Sequence, residues 1–145
     1  MTTPEILLDN VDFGENPYLN DAHEPLRSEL DNPQIKIIGE IPNIILHVDE
    51  LKMMLAIRNL LDNAIKYSKS DEICEVSFEV NNNLLWIIVK DFGKGIKKED
   101  IPKLPEPFYR GDRKNNVKGF GIGLTIVKKV VESHNGELII ESEYN

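Results

Sequence analysis

The sequence predicts a two-layer α/β sandwich, a mixed and mainly antiparallel sheet with helices packed on one face. Three observations carry that expectation. Residues 50–68 and the run starting at Leu124 each gather apolar residues on one arc of a 3.6-residue period. Two extended runs, Glu75 to Val80 and Leu84 to Lys90, are separated only by Asn81-Asn82-Asn83, as in an antiparallel hairpin with a three-residue turn. The second run, Leu84-Leu85-Trp86-Ile87-Ile88-Val89, is nearly all apolar and reads as a buried central strand.

Taken in order, residues 1–19 hold turn formers (Asp9-Asn10, Gly14-Glu15-Asn16-Pro17) and little periodicity. They read as a linker with one short strand at Ile6-Leu8, leading into a single domain over 20–145. A short helix from Asn20 to about Leu30, capped by Asn20 or Asp21, ends at Asp31-Asn32-Pro33. Gln34–Gly39 and Asn43–His47 read as short strands around the turn Glu40-Ile41-Pro42. Asp49 caps a helix from Glu50 to about Ser68, with Met54, Ile57, Leu61, Ala64 and Ile65 on the core arc. Asn59, Asp62, Asn63, Lys66 and Tyr67 lie on another arc, an unusual surface because Asn is a mediocre helix former.

The apolar run Leu84–Val89 ends in Asp91-Phe92-Gly93-Lys94-Gly95: a carboxylate at a strand end, then glycines that let backbone pass close to a ligand. Residues 96–117 contain three prolines, an aromatic pair and little pattern, so they read as a functional lid or as disorder. Lys118-Gly119-Phe120-Gly121-Ile122-Gly123-Leu124 then opens a helix. Leu124, Ile126, Val127, Val130 and Val131 share its apolar arc, and Thr125, Lys128, Lys129 and Glu132 share the other. Glycines at a first turn leave orphan N–H groups open to an anion. Taken alone, the same glycines read equally well as a flexible loop. Asn135-Gly136 stops the helix, and Glu137–Ser142 is a final strand.

Composition excludes several classes. At 145 residues, 41% apolar and 29% charged, the chain suits one domain with a real core. No apolar run approaches the roughly 18 residues that span a bilayer, and the first residues lack the pattern of a signal peptide. Cys74 is the only cysteine, so no internal disulfide forms and a reducing cytoplasm is the expected home. A net charge of −8 argues against wholesale nucleic-acid binding. Residues 94–118 nevertheless carry eight basic and four acidic side chains, which suits a small polyphosphate beside the glycine run.

Together these pieces resemble the catalytic, ATP-binding domain of sensor histidine kinases, within the wider GHKL superfamily. Asn59 to Ser68 resembles the N box, Asp91 to Gly95 the G1 box, Glu106 to Arg110 the F box and Gly119 to Leu124 the G2 box. The similarity runs from about Asn20 to Ser142, with the four motifs in order. The resemblance implies ATP and Mg²⁺ as ligands. It places Mg²⁺ on Asn63, with Asn59 beside metal and phosphates, Lys66 on a phosphate and Tyr67 against adenine. Asp91 would accept the adenine amino proton, and Gly93, Gly95 and Ile96 would line the base. Tyr109, Arg110 and Arg113 would come from the lid, the arginines to the γ-phosphate. Gly119, Phe120, Gly121, Ile122, Gly123 and Leu124 would surround the phosphates. Asn59, Lys66 and Arg110 would be the catalytic set.

The same resemblance implies partners: a histidine-bearing dimerisation domain that accepts the phosphate, and indirectly a response regulator. Neither nucleic acid nor direct membrane contact is expected for this stretch. Such a module would belong to the cytoplasmic part of a membrane-anchored kinase. Asp91-Phe92-Gly93 spells a protein-kinase motif but lacks its companions, and His23-Glu24-Pro25 has the wrong order for a phosphoacceptor site. His47 and His134 read as ordinary surface histidines. Family members usually add a strand after Ser142, so an exposed sheet edge is expected there. Phe92 departs from the polar residue common at its position. Two other functions compete: a GHKL-type ATPase, whose water-activating glutamate would stand where Asn59 is, and a non-catalytic nucleotide- or partner-binding module.

Overall fold

The computed structural model describes residues 2–8, 11–12, 28, 30–42, 44–68, 71–106 and 123–144. Its strands are β1 (Thr2–Leu8), β2 (Val11–Asp12), β3 (Ile35–Ile38), β4 (Ile45–Leu46), β5 (Cys74–Asn81), β6 (Leu84–Lys90) and β7 (Glu137–Ser142). Two α-helices are described, α1 (Glu50–Tyr67) and α2 (Gly123–Ser133), with a 3-10 turn at Ile101–Lys103. Five strands form one sheet in the order β3-β5-β6-β1-β7, while β2 and β4 pair separately. Only β3 and β5 run parallel; the other neighbours are antiparallel. This is the two-layer α/β arrangement expected from the sequence.

Helix α1 begins where Asp49 accepts the Lys52 N–H at 3.1 Å, a side-chain N-cap. Its buried face is wider than the arc expected. Met53, Ala56, Ile57, Leu60, Leu61 and Ala64 are buried, whereas Met54 and Ile65 pack only partly against the core. The cause is that α1 meets both the sheet and α2, so one narrow stripe is not enough. Helix α2 ends in a Schellman motif. Asn135 takes φ +58°, its N–H reaches Glu132 O at 3.0 Å, and Gly136 N–H reaches Val131 O at 2.9 Å.

The hairpin turn has two residues rather than three. Asn81 still pairs with Leu84, and Asn82 and Asn83 both take positive φ (50° and 64°), as a type I′ turn requires. Strand β6 is internal but buried on one face only: Leu85, Ile87 and Val89 point inward, and Leu84, Trp86 and Ile88 are half-buried on the other. The short strand expected at Ile6–Leu8 is present and reaches back to Thr2, so residues 2–8 belong to the sheet rather than to a linker. Glu5–Leu7 pair with both β6 and β7, Leu8 with β6 alone and Thr2–Pro4 with β7 alone. Pro4 has no N–H for a ladder, which fits its place where one of the two pairings has stopped. Of the helix expected at 20–30, Ser28 and Leu30 are helical and the remainder lies outside the described residues.

The core combines Leu30, the inner face of α1, Cys74, Val76, Leu85, Ile87, Val89, and Val127, Val130 and Val131 of α2. Thr125 is also buried, at 8% exposed, although the helical wheel put it with the charged residues.

Candidate functional site

The sheet and the two helices converge at one end, where the carboxyl end of β6, the carboxyl end of α1 and the first turn of α2 lie near one another. Asp91 follows β6 directly and is 4% exposed. One of its oxygens, Oδ1, accepts the Gly93 N–H at 3.1 Å, so the chain turns back on the carboxylate as it leaves the sheet. Asp91 and Thr125 are the only buried polar side chains among the described residues. A buried carboxylate is costly unless hydrogen-bonded, and the Gly93 N–H supplies one such bond.

The loop after Asp91 is held from two sides. A Cβ on Gly93 would land on the carbonyl oxygen of Tyr67, the last residue of α1. Gly95 takes φ +82°, and a Cβ there would land on the carbonyl of Glu143, just past β7. Ile96 N–H donates to Ser142 Oγ at 2.8 Å. Thus α1 and β7 both brace the glycine loop, and each glycine is where main chain meets main chain.

On α1, Asn59 Nδ2 donates to its own helix at Leu55 O (2.9 Å). That bond anchors the amide nitrogen and turns Oδ1 toward α2: a Cβ on Gly123 would stand 3.3 Å from it. The Asn63 amide is next to the same point, at 3.6 Å (Nδ2) and 3.8 Å (Oδ1). Four residues apart on a helix, the two amides share a face, and Gly123 begins the helix that meets it. Lys66, one turn further, is exposed, and Tyr67 is half-buried. The helix dipole at the start of α2 favours negative charge beside these amides.

The structure therefore brings Asn59, Asn63 and Gly123 together, with Tyr67, Asp91, Gly93, Gly95 and Ile96 forming the adjoining wall; Leu124 packs partly into the core. Tyr109, Arg110, Arg113, Gly119, Phe120, Gly121 and Ile122 lie outside the described residues. Phe92 is half-buried, with Lys90 Nζ 5.3 Å from its ring centroid. Sequence reasoning missed Ser142, which holds the loop through a hydroxyl, and the Tyr67 carbonyl, a main-chain group without a sequence signal. It also missed His134. That ring's Nε2 accepts the Asp49 N–H at 2.9 Å, which leaves the proton on Nδ1 for Val130 O at 2.7 Å.

The thiol of Cys74 lies below this wall, 3.3 Å from Ser68 Oγ. Burial pushes its pKa above the ordinary 9.0; the Ser68 hydrogen bond opposes this, and the charges of Asp91 and Glu72 add to it. Among the described residues no three His, Cys, Asp or Glu side chains cluster as a metal site, and no helix is long and apolar enough to cross a membrane.

Residues 48–145 match the family described as histidine kinase-, DNA gyrase B-, and HSP90-like ATPase. The sensor protein RprX of Bacteroides fragilis is 40% identical over 124 residues, 83% of this chain and 24% of that protein. The sensor histidine kinase WalK of Bacillus subtilis is 35% identical over 114 residues, 74% of this chain and 19% of that protein. The chain thus spans about a quarter or less of the length of these relatives. Among solved structures, the histidine kinase domain of the Escherichia coli osmosensor EnvZ superposes with a TM-score of 0.54 at 28% identity, covering 82% of this chain and 80% of that one.

Proposed function

Because this chain belongs to the family of histidine kinase-, DNA gyrase B- and HSP90-like ATPases, we propose that it is the ATP-binding catalytic domain of a sensor histidine kinase. It binds Mg·ATP and donates the γ-phosphate to a histidine on a separate dimerisation domain. The observation that carries this reading is the meeting of Gly123, at the start of α2, with the Asn59 and Asn63 amides on α1. A helix start beside two side-chain amides suits phosphate and a hard cation at once.

In this reading Asp91 accepts the amino proton of adenine, and Gly93, Gly95 and Ile96 let the base approach. Tyr67 lies against it, and Lys66 reaches a phosphate. Tyr109, Arg110 and Arg113 contribute from the segment before α2, with Arg110 meeting the γ-phosphate. Gly119, Phe120, Gly121, Ile122, Gly123 and Leu124 surround the phosphates with main-chain N–H groups. The Asn63 oxygen is of the kind Mg²⁺ takes, and it would hold the ion with phosphate oxygens and water as the other ligands. The bound cation neutralises phosphate charge. Catalysis is positioning and charge compensation, as phosphoryl transfer demands, with Asn59, Lys66 and Arg110 as its agents.

Hydrolysis by the gyrase or HSP90 route needs a base, and an amide at position 59 cannot serve as one; its Nδ2 is already held by Leu55 O. The acceptor domain, and through it a response regulator, are the partners, and the parent kinase is membrane-anchored with this domain on the cytoplasmic side. Calorimetric titration with a non-hydrolysable ATP analogue tests the reading. One-to-one binding that strengthens with Mg²⁺ is expected, followed by phosphate transfer to a histidine-bearing dimerisation domain supplied in trans. No binding in either buffer would overturn it.

A further inference from the structure

Thr125 lies two residues into α2, at 8% exposed. A threonine within a helix commonly bonds a carbonyl of its own preceding turn. This hydroxyl instead leaves the helix and donates to Pro105 O at 2.6 Å, twenty residues back in the chain. The acceptor is itself well held. Leu104 is buried at 5%, the 3-10 turn closes through Leu104 N–H to Ile101 O at 3.3 Å, and Glu106 N–H reaches Lys103 O at 2.9 Å. Pro105 adds a fixed φ. The bond therefore joins two ordered pieces, and one of them is the turn of α2 whose first residue faces Asn59 and Asn63.

We infer that Thr125 is a positioning residue for the phosphate end of the site: its hydroxyl holds the first turn of α2 against the Pro105 carbonyl and so sets Gly123 beside the two amides. The inference rests on the ATP-binding reading above. A side chain placed only for core packing would be apolar here, as Val127, Val130 and Val131 are on the same helix. A hydroxyl in that setting costs desolvation unless its bond is made, and the bond it makes runs to the chain leading away from the base-binding loop. Asp91 and Gly93, at the base end, have no part in it.

The two ends can be separated by ligand. Thr125→Val keeps the volume and the branch, removes the hydroxyl and leaves Pro105 O without that donor; Thr125→Ser keeps the hydroxyl. The variants would be compared with wild-type protein by calorimetry against the Mg²⁺ complex of a non-hydrolysable ATP analogue and against adenosine, which has no phosphates. Thr125→Val should bind the ATP analogue about tenfold more weakly, with adenosine affinity unchanged. Thr125→Ser should stay within about twofold of wild type on both ligands, since the bond is retained. If Thr125→Val does not fold, Thr125→Ala, which puts no methyl against the carbonyl, carries the same comparison. Unchanged affinity for the ATP analogue, equal loss of both ligands, or a serine variant behaving like valine would each overturn the inference. Wild-type protein that binds neither ligand would overturn the nucleotide reading and this inference with it, whereas wild-type binding with an indifferent valine variant overturns only the role of Thr125.

Discussion

Replacing Gly93 with alanine tests the join between α1 and the loop after β6. A methyl group there would be built onto the Tyr67 carbonyl oxygen, with the carbonyl carbon 3.1 Å away. The obstacle is main chain at the end of an 18-residue helix, so it cannot rotate aside as a side chain would. Ordinary contact would require loop and helix to separate by about 1 Å or more. Overpacking of this kind costs about 1–3 kcal/mol, which in a domain of this size lowers the melting temperature by about 3–10 °C. The Gly93 main chain that must shift carries the N–H that donates to Asp91 Oδ1, so the carboxylate moves with it. Affinity for the ATP analogue should then fall by about tenfold to a hundredfold. Gly39→Ala is the control: it faces open space at φ +78°, so it carries only the conformational cost of about 1–2 kcal/mol and no change in nucleotide affinity. Calorimetry and thermal melting on the three proteins decide the matter. A Gly93→Ala variant that melts and binds as wild type does would refute the close approach of loop and helix.

Asp91→Asn should cost about 2–5 kcal/mol of nucleotide binding, measured by the same titration, because a buried charged acceptor becomes a neutral amide; wild-type affinity would remove Asp91 from the adenine contact. Ser142→Ala withdraws the acceptor of the Ile96 N–H, so that amide should exchange with deuterium faster and stability should drop by about 0.5–1.5 kcal/mol. Unchanged exchange would mean the loop is held by other groups. The Cys74 thiol has a folded pKa raised above 9.0, so it contributes stability that is complete below 9.0 and is lost as pH rises through the folded value. Urea unfolding of wild type and Cys74→Ala between about pH 8 and 10.5 should show the gap between them narrowing above 9.0; a constant gap refutes the raised value.

Local chemistry made some of this molecule readable and left the rest hidden. The bounds of β7, Glu137–Ser142, were legible because Asn135 and Gly136 stop one helix and the short apolar run Leu138–Ile140 follows immediately. The start of α1 was legible because a cap such as Asp49 acts within three residues. Of strand β1 only the Ile6–Leu8 end was legible; Thr2–Glu5 were not, since pairing with β6 and β7 joins residues roughly 80 and 135 positions apart and Pro4 argues locally against a strand. Thr125 was misplaced for a related reason: a helical wheel gives period but not what lies opposite, and here a carbonyl lies opposite. In the site, the order of amides, carboxylate and glycines could be read from the chain. The groups that brace them could not, because the Tyr67 and Glu143 carbonyls are available in every sequence and only the fold selects them.

The spacing within the site follows from how the two helices are registered. They are tied at one end by the Asp49 N–H to His134 Nε2, just outside the start of α1 and the end of α2. At the other end Gly123 meets Asn59 and Asn63. From Gly123 to His134 the chain climbs about 16 Å, and from Asp49 to the pair of amides about 15–21 Å, at 1.5 Å per residue. The two lengths match only for helices that run antiparallel, and the buried residues between the ties, Ala56, Ile57 and Leu60 on one helix and Val127, Val130 and Val131 on the other, belong to a single core cluster. Ala56 is fully buried with no side chain beyond Cβ, which lets the axes approach. Inserting one residue in α1 between Asp49 and Asn59 would turn the amides by about 100° away from Gly123 while leaving the distant tie in place. The functional face is thus set by a register that His134 and the valines of α2 define from outside it.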